Sequence, residues 1–283
     1  MKTKITPVLV SLIVLMGCQP EKPRKTSLDE LNLSGKVKSV REISYEAVDL
    51  IDFIAKGDRK RENPGEPDSY RVFDSTGNLT EEILFQADNG INRKTTFRYE
   101  GREIVKTISS PDSSLSEKCI MHFSNKGYLI LETDIGPEGK LQYKRAFKYD
   151  RKGNLRAESV NDFGGIATSS VRYRYDNRNR LMEEVRYDRN GKQTLKIVTK
   201  YAEGSGDAEK SVYDANGILG GKDFYRYDGN GNEVIKNLFT PSGELMMSWS
   251  YRYESDSAGN WIKRTSRLGE RPRFIVERII AYY

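Results

Sequence analysis

Histidine, cysteine and long apolar runs are scarce in this sequence. Among its 283 residues there are one histidine, His122, and two cysteines, Cys18 and Cys119. A Ser-His-Asp or Cys-His arrangement would have to use His122, and a zinc site would lack ligands. No glycine-rich phosphate loop is present. The sequence therefore argues against these classes, and we predict no catalytic residue, no metal site and no cofactor.

The longest apolar run lies at the N-terminus and is too short to cross a membrane. It extends from Val8 to Met16, behind Lys2 and Lys4, whereas a spanning helix needs about 18 apolar residues or more. A charged start, a short apolar centre and small residues before a cleavage point are typical of a secretory leader. We predict a signal peptide over residues 1–17.

The end of this leader, Leu15-Met16-Gly17 followed by Cys18, resembles the lipobox of bacterial lipoproteins. The resemblance implies that Cys18 becomes the first mature residue and carries acyl chains, and two or more chains give a stable membrane anchor. Residues 18–30 then form a polar tether. Gln19, rather than Asp, follows the cysteine, which favours the outer membrane by resemblance to enterobacterial sorting; the side that the protein faces stays open.

Lipidation of Cys18 would leave Cys119 without a disulfide partner, so we expect Cys119 to be a small buried hydrophobe. The formal charge is +6, and removal of Lys2 and Lys4 with the leader lowers it to +4. A net charge this mild does not indicate a nucleic-acid partner.

The composition and an internal repeat predict an all-β fold. The chain is 36% hydrophobic and 31% charged, yet it holds 17 tyrosines and 10 phenylalanines, a balance typical of thin amphipathic strands. Aromatic residues recur every 26 residues, with one step of 24, and a fixed period in this range indicates a repeat architecture. These marking aromatics are Phe73, Tyr99, Phe123, Tyr149, Tyr175, Tyr201, Tyr227 and Tyr253.

Each repeat reads as strand, turn, strand, turn. Asp or Glu follows the marking aromatic in most copies, and sequences such as Gly77-Asn78-Leu79 come next. Asp initiates turns and Gly accepts the positive φ of a three-residue hairpin loop with a bulge. Two turns per repeat leave about eight residues per strand. We predict an antiparallel meander of about sixteen or more strands, in a sheet that curls or closes like a barrel to bury its apolar face.

Alternation along the strands assigns residues to the two faces. The marking aromatics share the buried face with Leu79, Leu129, Leu155 and Leu181. The residues immediately before the aromatics form a basic column on the opposite face, and the same parity adds Glu82, Glu132, Glu158 and Glu184 to that face. The column is either a solvated, salt-bridged surface or a candidate binding face for an anionic glycan or an acidic protein. Its members are Arg98, His122, Lys148, Arg174, Lys200, Arg226 and Arg252.

The repeat array covers residues 70–265. Before it, residues 31–69 hold an opening strand from about Val37, a stretch at 47–55 that fits a helix or a strand equally well, and a charged loop at 56–68. A last strand covers residues 266–283.

Asp228-Gly229-Asn230-Gly231-Asn232 superficially suggests a calcium loop, but it lacks the bidentate glutamate and is read as a turn.

Recurring Tyr-Asp followed by Gly-Asn-Leu, as in Tyr149-Asp150 and Gly153-Asn154-Leu155, resembles the YD repeats of Rhs (rearrangement hotspot) proteins. The start at Leu31 to Val40 and the late Gly259-Asn260-Trp261 are similar to repeat lipoproteins of uncharacterised function common in Bacteroidetes. The resemblance implies a repeat β-sheet in the cell envelope, and we do not extend it to toxin delivery.

Together these features predict a non-catalytic envelope lipoprotein whose repeat sheet is a binding or scaffolding surface for a protein or a glycan. Two alternatives stay open. One is a glycan-acting enzyme whose carboxylates converge from separate repeats, which a cleft with two carboxyl groups about 5 to 9 Å apart would favour. The other is a structural spacer without a specific ligand.

Overall fold

Among the residues that the structure describes, the chain forms one large β-sheet and a single helical turn. The computed structural model describes residues 25–50, 53–59, 68–86, 88–111 and 116–283. The predicted leader, Cys18 and the tether up to residue 24 lie outside these ranges. The helix α1 spans Ser27–Glu30. The strands are β1 Val37–Asp49, β2 Ile54–Arg59, β3 Ser69–Phe73, β4 Leu79–Phe85, β5 Ile91–Glu100, β6 Glu103–Ser109, β7 Ser116–Phe123, β8 Leu129–Ile135, β9 Leu141–Tyr149, β10 Leu155–Asp162, β11 Ala167–Tyr175, β12 Leu181–Asp188, β13 Gln193–Tyr201, β14 Ala208–Tyr213, β15 Leu219–Tyr227, β16 Glu233–Phe239, β17 Leu245–Ser255, β18 Trp261–Leu268 and β19 Arg271–Tyr282.

The sheet closes into a barrel. From β3 to β19 each strand pairs antiparallel with the next. β1 then pairs with β19 along one edge, where Val40 lies opposite Ile280. The other edge of β1 pairs with β3 along its first half and with β2 along its second half, so β2 and β3 together occupy one position in the ring. The nineteen strands therefore fill 18 positions around the barrel. Among the described strands, β1 and each strand from β3 to β19 are paired on both sides, as in a closed barrel. The predicted antiparallel meander is confirmed, and its curled sheet is a closed barrel.

The turns have the predicted chemistry. Asp74 N donates to Asn78 O at 2.9 Å and Gly77 N to Asp74 O at 3.0 Å. The Asp74 carboxylate accepts from the amides of Thr76 and Asn78 at 2.9 and 3.0 Å. This backbone pattern occurs in twelve turns of the described chain, the Asp74 turn included, and one of them is 228–232, which is the predicted turn. Gly77 adopts φ +89°, a conformation that residues with a Cβ rarely take.

A β-bulge after these turns changes the face assignment. Tyr175 lies opposite Leu181, whereas Arg174 lies opposite Glu183, so Met182 is an extra residue in β12. The leucines therefore share a face with the aromatics, as predicted. The placement of Glu82, Glu132, Glu158 and Glu184 on the basic face is wrong, because one inserted residue reverses the parity of everything that follows it. Glu184, for example, lies opposite Tyr173.

The face with the marking aromatics lines the inside of the barrel. All eight aromatics are buried or half-buried, whereas six of the seven basic-column residues are exposed. Leu28 of α1, which lies across the barrel end, packs against Val40 and Phe73 of the aromatic face. The concave side of a closed sheet is also its less accessible side. We call the two sides the inner face and the outer face.

The compact hydrophobic cluster sits where the barrel closes. Leu28, Val37, Val40 and Phe73 are buried together, with partly buried neighbours Leu31, Leu33, Leu79 and Ile280 around them. These residues come from α1, β1, β3, β4 and β19. We call this cluster the seam, because it joins the two ends of the meander.

The segment before β1 crosses one end of the barrel. Residues Ser27–Glu30, predicted to be part of the tether, instead form a helical turn with a Thr26 capping box. Leu28 N then donates to Gly77 O at 3.1 Å, Asn32 Nδ2 to Asn230 O at 3.0 Å, and Ser34 N to Asn260 Oδ1 at 2.7 Å. The three partners belong to three different turns at the same end. We call this the capped end.

The opening and closing segments are strands. The ambiguous stretch at 47–55 continues β1 to Asp49 and begins β2 at Ile54. The predicted loop at 56–68 starts as strand through Arg59, and its residues 60–67 lie outside the described ranges. The last strand, β19, lies between β18 and β1, and Tyr283 Oη donates to Phe73 O at 2.7 Å. The C-terminal segment therefore completes the ring.

Candidate functional site

Marking tyrosines tie neighbouring hairpins together near the capped end. In β12 and β13 the paired positions end at Glu183 and Val198, and beyond them the Tyr201 hydroxyl donates to Leu181 O at 3.0 Å. The same bond, to the carbonyl 20 residues earlier, is made by three other marking tyrosines. We call it the tyrosine latch, and its other members are Tyr99 to Leu79 O at 2.7 Å, Tyr149 to Leu129 O at 2.9 Å and Tyr253 to Glu233 O at 2.9 Å.

Tyr175 has no latch. Within the described chain its hydroxyl makes no hydrogen bond to Leu155 O, the carbonyl 20 residues earlier. The gap is instead bridged by one side-chain bond, from Asn154 Nδ2 to Asn179 Oδ1 at 3.1 Å. Burial raises the pKa of Tyr175 to about 12, so the hydroxyl is a neutral donor and acceptor at physiological pH. In the described chain Tyr227 also lacks the latch; at Tyr175 its absence leaves the hydroxyl free on the inner face.

The latch predicts a difference between two conservative variants. Tyr201→Phe removes the bond to Leu181 O and should lower the free energy of unfolding by about 1 kcal/mol. Tyr175→Phe, its matched control, removes a hydroxyl without a protein partner and should change stability by less than about 0.5 kcal/mol. Urea melts of both variants test this. Equal losses would show that the latch does not contribute to stability.

A cavity of about 620 Å³ lies where the latch is missing. It opens between the β9–β10 and β11–β12 hairpins at the capped end, and we call it the hairpin cleft. Tyr149, Tyr173 and Tyr175 form its aromatic wall, and the Tyr173 hydroxyl is held by Glu158 Oε1 at 2.6 Å. Tyr128 stacks on Tyr149 with ring centroids 4.8 Å apart, and a Cβ on Gly153 would clash with the Tyr128 hydroxyl. The wall is therefore tightly supported from behind.

The hairpin cleft is electropositive. Arg151, Lys152, Arg156 and Arg174 line it together with two carboxylates. The carboxylates are Asp150 and Asp176, and each is held by turn amides at 2.8 to 2.9 Å. Burial alone would raise the pKa of both groups, but these hydrogen bonds lower it, so both stay ionised.

The cations of the hairpin cleft are mostly unpaired. Within the described chain, Arg151, Lys152 and Arg156 have no carboxylate within ion-pair distance, whereas Arg174 lies 3.6 Å from Glu183. A second cavity, of about 360 Å³, contains Lys200 but also Asp207 and Glu209. The hairpin cleft thus has more cations than carboxylates, four against two, whereas the second cavity has fewer, one against two.

The predicted basic column forms a ring on the outer face near the capped end. The structure brings only Arg174 of this ring into the hairpin cleft, and Lys200 into the smaller cavity. Four ring members have carboxylate partners, and these differ from the glutamates that parity suggested: Arg98 with Glu100 at 2.9 Å, His122 with Glu103 at 3.0 Å, Arg174 with Glu183 at 3.6 Å and Arg226 with Asp207 at 3.2 Å. Sequence reasoning missed Arg151, Lys152 and Arg156, although no other turn of the array carries three cations in this spacing.

A group of acidic side chains lies elsewhere on the inner face. Glu132 pairs with Arg145 at 3.3 Å, and Cys119 and Asp134 occupy opposite positions on β7 and β8. Burial raises the pKa of Glu132 and of Asp134, against the lowering effect of Arg145 on both. Burial also raises the pKa of the Cys119 thiol to about 12, and the prediction that Cys119 is buried is confirmed.

A protein-family model matches part of the chain. Residues 68–203, just under half of the chain, match a family model described as "Uncharacterised protein". No curated protein matches the chain. In the described residues, no helix is long and apolar enough to cross a membrane.

Comparison with solved structures finds 36 similar chains. One is a porin-like protein from Bacteroides uniformis ATCC 8492, with a TM-score of 0.46 and 9% identity over 92% of this chain and 100% of that one. Another is the TcdB2-TccC3-Cdc42 complex, with a TM-score of 0.22 and 11% identity over 75% of this chain and 16% of that one. A third is TcdB2-TccC3 without its hypervariable C-terminal region, with a TM-score of 0.22 and 11% identity over 72% of this chain and 15% of that one. Likenesses this distant carry no argument about function.

Proposed function

We propose that the protein is a lipid-anchored component of the cell envelope whose barrel stands outside the bilayer and binds a protein or a glycan. The charged outer face is the observation that carries this proposal. Ion pairs cross that face, joining Lys94 to Glu81 at 2.8 Å, Lys196 to Glu183 at 2.8 Å and Lys222 to Glu209 at 3.4 Å. A lipid-facing Lys or Arg costs about 2–4 kcal/mol near the bilayer centre, so this face suits water.

The position of the N-terminal segment supports an anchor at the capped end. The described chain begins at residue 25, beside the turns that α1 contacts. Residues 18–24 could span at most about 25 Å when extended. A lipid on Cys18 would therefore hold the capped end, with the basic ring and the hairpin cleft, within reach of the membrane surface. By resemblance of Gln19 to sorting signals, that membrane would be the outer one.

Lipidation gives a direct prediction. Cys18→Ser should abolish incorporation of labelled palmitate and leave the leader uncleaved, because the acyl chains are added to the cysteine thiol. Cys119→Ser is the matched control, since its thiol is buried, and it should be labelled normally. Normal labelling of Cys18→Ser would refute the anchor. For the anchored natural chain, protease accessibility on intact cells would show which side of the membrane the protein faces.

The likeness to YD repeats of Rhs proteins is part of the same proposal. Its support is the repeated use of one turn chemistry: Asp150, Asp176 and Asp228 each follow a marking tyrosine and bind the amides two and four residues on. These contacts explain why Tyr-Asp recurs. They describe the repeat as a structural unit and give no activity.

Binding is tested by two screens on the purified chain in detergent. A glycan array and a pull-down from an envelope extract should yield a ligand whose binding is lost on urea unfolding. Variants of the outer ring and of the hairpin cleft would then place it. Absence of any reproducible ligand in both screens would favour a structural spacer instead.

A glycan-acting enzyme is a second candidate because of Glu132 and Asp134. A general acid needs a raised pKa, and burial supplies this at both residues. The carboxylates of the hairpin cleft have lowered pKa values and are engaged by turn amides, which does not suit that role. Release of reducing ends from envelope glycans, lost in Glu132→Gln but retained in Glu158→Gln, would favour the enzyme.

A further inference from the structure

We propose that the hairpin cleft binds an acidic oligosaccharide, whose carboxylate groups are held by Arg151, Lys152 and Arg156 and whose rings lie against Tyr149 and Tyr175. The inference rests on the proposed function, since it treats the barrel as a binding module, and it adds the ligand class and the place of binding.

The charge of the cleft selects an anion. Its three unpaired cations come from one hairpin, Arg151 and Lys152 in the turn and Arg156 in the bulge that follows. Guanidinium groups bind carboxylates in a bidentate geometry that fixes orientation as well as charge. The three cations and Arg174 outnumber the two ionised carboxylates of the cleft, Asp150 and Asp176, and in the described chain neither carboxylate lies within ion-pair distance of the three, Asp176 being paired with Arg180 at 2.7 Å.

The aromatic wall and the amides select a sugar among anions. Sugar rings present apolar C–H faces and a rim of hydroxyls, and tyrosine offers both an apolar ring and a polar tip. The Tyr175 hydroxyl is free for such a rim, and the amides of Asn154 and Asn179 add donors and acceptors beside it. A simple inorganic anion would use the cations and leave this wall without a role.

The size of the cleft agrees with a short oligomer. Its volume of about 620 Å³ falls within the roughly 300–1,000 Å³ of small-molecule sites. The latch is absent at Tyr175, which lines the cleft. Where the latch is present, as at Tyr201, the hydroxyl is bonded to the carbonyl across the gap and is not available to a ligand.

Titration calorimetry on the full chain in detergent tests the inference. The probes are tri-galacturonate and sialyllactose, two carboxylated sugars, with maltotriose as the neutral sugar and citrate as the non-sugar anion. At least one acidic sugar should bind, tenfold or more tightly than maltotriose and citrate. Its affinity should fall with added salt, which screens exposed charges.

Variants then place the ligand. Arg151→Gln combined with Arg156→Gln should weaken the acidic sugar at least tenfold. Arg252→Gln, a ring residue outside the cleft, should leave its affinity unchanged. Tyr175→Phe should weaken it severalfold while the urea midpoint stays that of the natural chain, which separates loss of contact from loss of fold.

Several outcomes would overturn the inference while leaving a binding function intact. Equal binding of maltotriose would remove the role of charge, and equal binding of citrate would reduce the cleft to an anion site. Undiminished binding by the double arginine variant would show that the ligand binds elsewhere on the barrel. Failure of both acidic sugars, with a protein or neutral glycan found by the screens above, would refute the ligand class alone.

Discussion

Phe73→Ala should lower the free energy of unfolding by about 3–5 kcal/mol, the cost of truncating a fully buried aromatic side chain. Phe73 is 1% exposed and is among the largest fully buried side chains of the barrel. It lies in the seam, where α1, β1, β3 and β19 meet. The other seven marking aromatics are only half-buried, so truncating any of them should cost less. Urea melts measure the loss.

Phe163→Ala is the control for this prediction. Phe163 is 79% exposed in the β10–β11 turn, and its truncation should change stability by less than about 0.5 kcal/mol. Hydrogen exchange adds a spatial readout, because the seam variant should expose amides of β1 and β19 before those of β12 and β13. Comparable losses in the two variants would mean that the seam is not the main stabilising contact.

The repeat and its turns could be predicted because they depend on local chemistry. Asp74 and Gly77 specify their turn within five residues, and the fixed spacing of the aromatics shows that the unit recurs. The glutamates were misplaced because counting parity assumes an unbroken strand. A bulge such as the one at Met182 adds a residue without any distinct residue type to mark it.

Closure could not be predicted from the sequence. It depends on pairs such as Val40 with Ile280, which are separated by most of the chain and have no local signal. The sequence required only that the apolar face be covered, and an open curl or a dimer would also have done so. The end of β19 shows how closure was achieved: Tyr283 reaches back to the Phe73 carbonyl.

The candidate site was half visible in the sequence. Arg174 stood in the predicted basic column, and the tyrosines stood in the predicted aromatic series. Only the folded structure brings Arg151, Lys152 and Arg156 together with the unlatched Tyr175 of the neighbouring hairpin. A missing hydrogen bond is a property of the three-dimensional contacts and leaves no mark on the spacing of residues.

The second large effect should come from Arg278. Its guanidinium donates from Nε to Glu42 Oε1 at 2.7 Å and lies 3.4 Å from the centre of the Trp261 ring. Arg71 is a weaker partner, 3.5 Å from Glu42. Side chains of the main pair are only 11% and 18% exposed. Arg278→Ala should cost about 3–5 kcal/mol at neutral pH, because it leaves a buried carboxylate poorly paired.

Arg174→Ala is the matched control for charge. Its side chain is 77% exposed and 3.6 Å from Glu183, and an exposed pair contributes at most about 1 kcal/mol. Both variants remove an arginine from an ion pair between strands, so they differ chiefly in burial. Similar losses of unfolding free energy for the two variants would show that the Glu42–Arg278 pair is not effectively buried.

The pH dependence of the Arg278→Ala loss identifies its cause. Burial alone would raise the pKa of Glu42, but Arg278 and Arg71 together lower it below its usual value of 4.5. A lowered pKa gives stability that is present above the usual value and is lost as the pH falls through the folded value. The variant lacks most of that contribution, so the gap between it and the natural chain should narrow from about pH 7 to about pH 3. A gap that stays constant over this range would assign the loss to packing on Trp261 instead of to the charge pair.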